Sequence, residues 1–349
     1  MNELINNTRA KTAEIRQFII ENVANHPNDL SHLTAQQFDI SRQAVNRHLQ
    51  ELVKQELLEV SGATRNKAYK LKVLDQWQQT YDLQGLDEDR VWRNDILPRF
   101  ARFNLAKNVQ SIWHYGFTEM LNNAIDHSNS SVVFIKLVSN AAYSWISIYD
   151  QGEGIFRKIQ KAMDLEDERH AVLELSKGKL TTDPANHSGE GIFFSSRIFD
   201  QFIIDSNDII FSHEHDKIED WIVESTLGVS GTLVGMKLHH NTQRTTKEIF
   251  DFYTSDDGDY RFVKTVVPVR LAQYGNEELI SRSQAKRVLS RIERFKVVIF
   301  DFEGVESIGQ AFADEVFRVF KNQHAELELK YENANPDTEA MIRRALTHS

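Results

Sequence analysis

The chain has no cysteine, which excludes disulfides, thiol catalysis and cysteine-held zinc or iron–sulfur sites. No stretch approaches the ~18 to 20 consecutive apolar residues of a membrane span. The opening MNELINNTRAKTAE lacks the pattern of a signal peptide, so a cytoplasmic protein without membrane contact is expected. Long low-complexity tracts and internal repeats are also missing. Positive net charge is lacking: 41 Lys and Arg stand against 51 Asp and Glu, a formal −10. That balance argues against a protein that coats nucleic acid with its whole surface.

What is present fits a chain of two or three globular domains, with 349 residues, 41% of them hydrophobic and 26% charged. The charge is unevenly spread. Residues 8–73 hold ten Lys and Arg against seven Asp and Glu, a balance of +3, which leaves −13 for the remainder. A small basic module is joined to an acidic body, and the two are expected to do different work.

In the first segment, residues 8–23 repeat Ile15, Phe18, Ile19 and Val23 at helical spacing. LTAQQF and a tight DIS turn follow, then SRQAVNRHLQELVKQELL, with Ser41 as N-cap. Val45, Leu49, Leu52 and Val53 line one face of this helix, and Arg42, Gln43, Asn46, Arg47 and Gln50 the other. The second set can reach base edges and phosphates. LLEVSGATRNKAYKLK alternates like a hairpin whose tip holds Arg65, Asn66 and Lys67. Three helices and a basic hairpin resemble a winged helix-turn-helix. The resemblance implies double-stranded DNA as partner, with helix 42–54 in the major groove and the 64–67 tip on phosphate or minor groove. A three-helix interaction module with a solvated polar face is the alternative, and RNA a less favoured partner.

The second segment opens on WHYGFTEMLNNAIDHS and continues through SVVFIKLVS, YSWISIYD and QGEGIF. After LELSKGKLTTDPANHS come GEGIFFSSRIFD and a late strand, VSGTLVGMKL. A small flexible S-G-E-G against a bulky Ile-Phe-Phe at 188–194 suggests a ligand that backbone must approach closely. Glu119 and Asn123 are four apart and project from one helix face. E-x-x-x-N, D-x-G-x-G after a strand, G-x-G opening a helix and a final G-T strand, all in order over about 130 residues, resemble the GHKL ATP-binding fold. Gyrase, heat-shock chaperones, histidine kinases and mismatch-repair ATPases share that fold.

The resemblance implies ATP and Mg²⁺ as cofactors, and roles residue by residue. Glu119 sits where hydrolytic members keep the base that orients the attacking water, and the side-chain oxygen of Asn123 suits Mg²⁺. Asp150 would accept the adenine amino proton, with Gly152 and Gly154 beneath the ring and Thr232 near it. Gly189 and Gly191 would turn N–H groups and a helix start towards the phosphates. Residues 156–188 would be the lid, with Lys177 and Lys179 as phosphate contacts. Asp126 joins the nucleotide set: gyrase-like, chaperone and mismatch-repair members carry Asp there, histidine kinases Lys or Arg. With no histidine-bearing dimerisation helices before the domain, ATP binding with slow hydrolysis is favoured over autophosphorylation. The plain alternative is a helix–sheet layer with accidental glycines.

The third segment alternates strands and helices: FVKTVVPVRL, SRSQAKRVLSRIERF, KVVIFDF, GQAFADEVFRVFKN, ELELKYE and a last helix. It resembles the STAS-like domains related to anti-sigma-factor antagonists, which implies a protein partner. In those, a serine starting the helix after the middle strand is phosphorylated; here Gly309, Gln310 and Ala311 stand there, and Ser307 lies in the loop.

The fold class expected is therefore α/β multidomain. A winged helix-turn-helix (1–73), a connecting helical segment (74–104), a GHKL-type α/β-sandwich (105–245) and a STAS-like domain (246–349) follow one another. HEH at 213–215 and HH at 239–240 look metal-friendly but lack a third ligand, so solvated or hydrogen-bonded histidines are expected. Trp77, Trp92, Trp113 and Trp221 are expected in core or interdomain packing. The function that follows is a homodimeric transcription regulator in which ATP gates operator binding or partner contacts. The alternatives are an anti-sigma-type kinase acting on a separate partner and an ATP-switched stress or defence component.

Overall fold

The computed structural model describes residues 2–63, 67–180, 189–215, 220–255, 261–273 and 277–347. It opens with α1 (Asn2–Asn22), α2 (Leu30–Phe38) and α3 (Arg42–Lys54). Ser41 caps α3, its hydroxyl accepting the Ala44 N–H at 3.2 Å, which satisfies a donor that a helix start would otherwise orphan. Val45, Leu49 and Leu52 are buried with Ile15, Ile19 and Ile20 of α1 in a small core of their own. A two-stranded antiparallel hairpin, β1 (Leu58–Ser61) and β2 (Ala68–Leu71), completes the unit.

The segment expected to be a helical connection begins instead as a strand. β3 (Asp75–Asp82) pairs antiparallel with β4 (Val132–Ser139) along its whole length, at the edge of the central sheet. Trp77 and Tyr81, four apart on one face, pack on the core, and the exposed Gln79 between them on that face breaks the apolar alternation. Helical structure starts only afterwards. α4 (Glu88–Val91) runs through a π turn (Trp92–Ile96) into α5 (Leu97–Phe100) and a 3-10 turn (Ala101–Phe103). The Tyr81 hydroxyl donates to Asp95 at 2.8 Å, tying strand to helix.

The central sheet has the order β3-β4-β5-β7-β6 with every neighbour antiparallel, adding β5 (Tyr143–Asp150), β6 (Gln201–Glu214) and β7 (Trp221–His239). The sequence pattern marks only the end of β7 and does not reveal β6. α6 (Lys107–His127) precedes β4, and α7 (Ile155–Met163), α8 (Glu168–Lys177) and α9 (Gly191–Ile198) lie between β5 and β6. Ile112, Trp113, Phe117 and Met120 of α6 share a core with Val133, Ile135 and Leu137 of β4 and Ile146 and Ile148 of β5.

α10 (Thr246–Tyr253) was expected to open the C-terminal unit but packs back on the central one, its Phe250 ring 4.3 Å from Phe194 and 5.4 Å from Tyr115. Beyond it stand β8 (Lys264–Pro268), α11 (Arg282–Leu289), β9 (Val297–Asp301) and α12 (Gln310–Asp314). A π turn (Glu315–Phe320) leads to α13 (Lys321–Gln323), β10 (Glu328–Glu332) and α14 (Pro336–Thr347). The three strands form a parallel sheet, β10-β9-β8. One apolar cluster runs without a break from the central sheet into this unit. Trp92 and Trp113 lie in that cluster, while Trp221 is 38% exposed beneath the Arg270 guanidinium. No described helix is long and apolar enough to cross a membrane.

The paired histidines have hydrogen-bond partners. His213 Nδ1 meets Arg197 at 2.9 Å and also Asp220, His239 Nδ1 meets Asp200 at 2.8 Å, and His240 Nε2 meets Ser144 at 2.9 Å. Burial, then the neighbouring His239, holds His240 at about 4. An unfolded histidine takes up its proton near 6.5, so between pH 6.5 and 4 the unfolded chain binds more protons than the folded one. Stability then falls as pH falls through that window, by up to about 3 kcal/mol for this residue. His240→Gln, which keeps a partner for Ser144 but cannot titrate, should flatten the decline in urea midpoint between pH 7 and 4.5. An unchanged decline would assign the acid sensitivity elsewhere, with half-buried His213, lowered in the same direction, the next residue to test.

Candidate functional site

A cleft of about 1120 Å³, its open mouth included, lies between α6, the end of β5, α7 and the start of α9. Of the residues nominated from sequence, Glu119, Asn123, Asp150, Gly154, Gly189, Gly191 and Thr232 all line it.

Asp150 ends β5 directly opposite Thr232 of β7. The residue is 6% exposed, and its carboxylate accepts the Gly152 N–H at 2.9 Å. Burial pushes its titration up, and the N–H groups of Gly152 and Thr232 oppose that rise. The side chain thus presents a desolvated acceptor to the cleft. Thr232 Oγ1 accepts the N–H of Ile155, the first residue of α7, at 3.0 Å, and so fixes where the turn after β5 ends. Gly152 itself lies behind the cleft wall: a Cβ there would stand 1.8 Å from the Ser128 carbonyl oxygen at the end of α6.

Opposite this end, Glu119 and Asn123 sit one turn apart on α6. Glu119 faces the start of α9 so closely that a Cβ on Gly191 would come within 2.1 Å of Oε2. Glu190, between the two glycines, is raised by burial and held back by Lys179. The cleft therefore has a desolvated carboxylate at one end. At the other it has a carboxylate, an amide and a glycine-flanked helix start; the buried carboxylate can accept from a base amine, and the helix-start N–H groups can donate to a phosphate chain.

Four nominated residues are placed differently. Asp126 is exposed on α6 away from the cleft lining, and Gly152 supports the wall from behind. Lys177 is buried, with Nζ 2.7 Å from Glu174 and donating to the carbonyls of Arg287 and Ser290 at 3.0 and 2.9 Å. Lys179 donates to the Arg294 carbonyl at 3.0 Å and lies over the Phe295 ring. Both lysines are therefore engaged by the C-terminal unit, not by the cleft. Residues 181–188, the remainder of the expected lid, lie outside the described residues. The cleft also has residues that the motifs did not nominate, among them Glu153, His127 and Lys158, whose Nζ donates to the His127 carbonyl at 2.7 Å. Lys158 stands one turn past Gly154, on the helix face it shares with Ile155 and Ile159, a spacing that marks it as cleft-facing.

In the N-terminal unit Arg42, Gln43, Asn46, Arg47 and Gln50 are all exposed along one side of α3, and Lys67 is exposed at the start of β2. Arg42 is steadied by His32 of α2 at 3.1 Å. Arg65 lies outside the described residues. At the C-terminal unit, Gln310 is the first residue of α12 and its amide donates to Asp314 at 2.8 Å.

A family model described as a STAS-like domain of unknown function (DUF4325) matches residues 284–339, which hold β9, α12, α13 and β10. The C-terminal part of this α/β multidomain chain is thus STAS-like. No curated protein matches the chain.

Proposed function

We propose that the chain is an ATP-responsive DNA-binding regulator: a winged-helix reader, a GHKL-type nucleotide site and a STAS-like contact domain in one polypeptide. The observation that carries this reading is the convergence of Glu119, Asn123, Asp150, Gly189, Gly191 and Thr232 on one cleft, since four separately read motifs have no structural reason to meet. Asp150 reads the adenine amine, and the glycine pair faces the phosphates. Glu119 orients water for slow hydrolysis. The residues fit Mg²⁺, because Asn123 offers a neutral oxygen beside the phosphate end; the ion would neutralise charge on the phosphates.

β5 supports a link between nucleotide and DNA. Its first residue, Tyr143, packs with Ala142 on the core of the N-terminal unit, and its last is Asp150. The strand thus joins the reader to the cleft over roughly 23 Å of extended backbone. Titration with a non-hydrolysable ATP analogue, with and without duplex DNA, tests the reading. Linkage requires each ligand to change the affinity of the other by the same factor. Independent binding curves would remove the gating, and absence of nucleotide binding would remove the whole proposal.

The exposed face of α3 makes a separate prediction. The Arg42/Arg47 double alanine variant should bind duplex DNA about 10 to 100-fold more weakly, with a shallower salt dependence as two phosphate or base contacts are lost. Both arginines point away from the packed face of α3, so its thermal unfolding should match wild type. Equal DNA affinity would exclude α3 as the reader.

A further inference from the structure

α8 belongs to the stretch that the nucleotide reading treats as a lid, yet Ala171 to Lys177 are all buried. Three contacts fix its end to the STAS-like unit. Lys177 is 1% exposed, and its ammonium sits at the C-terminus of α11, donating to the carbonyls of Arg287 and of Ser290, the capping residue. Thr265 of β8 donates its hydroxyl to the Lys177 carbonyl at 2.7 Å. Two residues on, Lys179 and Arg294 exchange side-chain-to-carbonyl hydrogen bonds at 3.0 and 2.9 Å. On either side of these anchors the same segment faces the cleft. Leu175 and Leu180 line it, and the Leu180 N–H donates to the Gly189 carbonyl at 3.1 Å.

A fully buried lysine is costly unless each of its protons has a partner. Apolar side chains of similar volume commonly fill such a site with no loss of stability. What Lys177 adds is a fixed register: its three acceptors, Glu174 within α8 and two carbonyls at the end of α11, are met together only when the two helices stand in one relative position. The helix-end carbonyls favour a cation there as well. One side of this joint is the wall of the cleft, the other the STAS-like unit.

We infer that Lys177 is a positioning residue, through which the STAS-like domain sets the Leu175–Leu180 wall and the Gly189 turn of the nucleotide cleft. The inference rests on the nucleotide reading. A ligand or partner that shifts α11 against α8 therefore changes nucleotide affinity, and nucleotide changes the affinity for that partner by the same factor.

The test uses the full chain and two variants. Glu174→Gln/Lys177→Met removes both buried charges while keeping volume, and Thr265→Val removes only the hydroxyl anchor. Calorimetric titration with ATP and with ADP is compared with urea unfolding of each variant. A structural role alone lowers the unfolding midpoint and leaves the affinity of the folded protein unchanged. The positioning role predicts cooperative unfolding together with about tenfold weaker ATP binding, inside the range usual for coupled sites. It also predicts a changed ATP-to-ADP preference, because Gly189 lies at the phosphate end. Should the double variant fail to fold, Thr265→Val decides alone, with several-fold weaker binding expected. Wild-type affinity in a folded variant overturns the positioning role while the nucleotide reading stands. A wild-type chain that binds no nucleotide overturns both.

Discussion

Asp150→Asn should lower nucleotide affinity about a hundredfold and leave the fold intact. The carboxylate has two separate duties, which the substitution separates. One oxygen accepts the Gly152 N–H, and the asparagine oxygen can keep that bond, so the turn after β5 should survive. The group also takes a backbone bond from Thr232 and lines the cleft, where the amide would put a donor against the adenine amine, itself a donor. One charge-assisted hydrogen bond is lost and a buried donor is left unpaired, which together cost ~3 kcal/mol. That figure corresponds to about a hundredfold in Kd. Calorimetry with ATP alongside thermal unfolding measures both duties. Unchanged affinity in a folded variant would remove Asp150 from the base-reading role. Collapse of cooperative unfolding would make the residue structural and leave the base contact to Thr232.

How far the sequence could carry this site depends on what each residue is asked to do. That Glu119, Asn123, Asp150 and Gly191 share one cleft was legible because the roles proposed for them require particular residue types at fixed spacing on one helix or one strand end. Such local patterns survive without knowledge of what packs against them. Lys177 illustrates the opposite case. In SKGKL a lysine flanked by glycine and a second lysine looks solvated, and its burial follows only from carbonyls more than a hundred residues away. β3 was hidden for a related reason: as an edge strand it buries one face, and the polar run DQWQQTYD weakens the alternation that would reveal it. β6 carries QFIIDSNDIIF, where Asp205 and Ser206, both buried, interrupt the apolar pattern. The STAS-like unit was legible because strand and helix alternate there with short connections.

Gly191 in the cleft and Gly152 behind its wall should respond in opposite ways to the same added methyl group. At Gly152 the new Cβ would lie 1.8 Å from the Ser128 carbonyl oxygen and 2.7 Å from its carbon. Both are backbone atoms at the end of α6, and a helix end cannot rotate aside as a side chain can. Gly152→Ala must push the turn away from α6, which withdraws the Gly152 N–H from Asp150 and shifts the start of α7. Overpacking of this kind costs about 3 kcal/mol or more where no side chain can yield, and nucleotide binding should be lost with the turn. At Gly191 the nearest atom is Glu119 Oε2, at 2.1 Å, the far end of a flexible side chain. Gly191 is the first residue of α9, where alanine is accommodated without backbone strain. Gly191→Ala should therefore fold like wild type and bind ATP through Asp150, but with Glu119 displaced its phosphate release should fall at least tenfold, as expected when a positioned base is lost. Urea unfolding, ATP titration and a phosphate-release assay on the two variants separate the cases. A Gly152→Ala chain that folds and binds like wild type would mean that α6 and the Asp150 turn are not in contact. Wild-type turnover in Gly191→Ala would remove Glu119 from the water-orienting role.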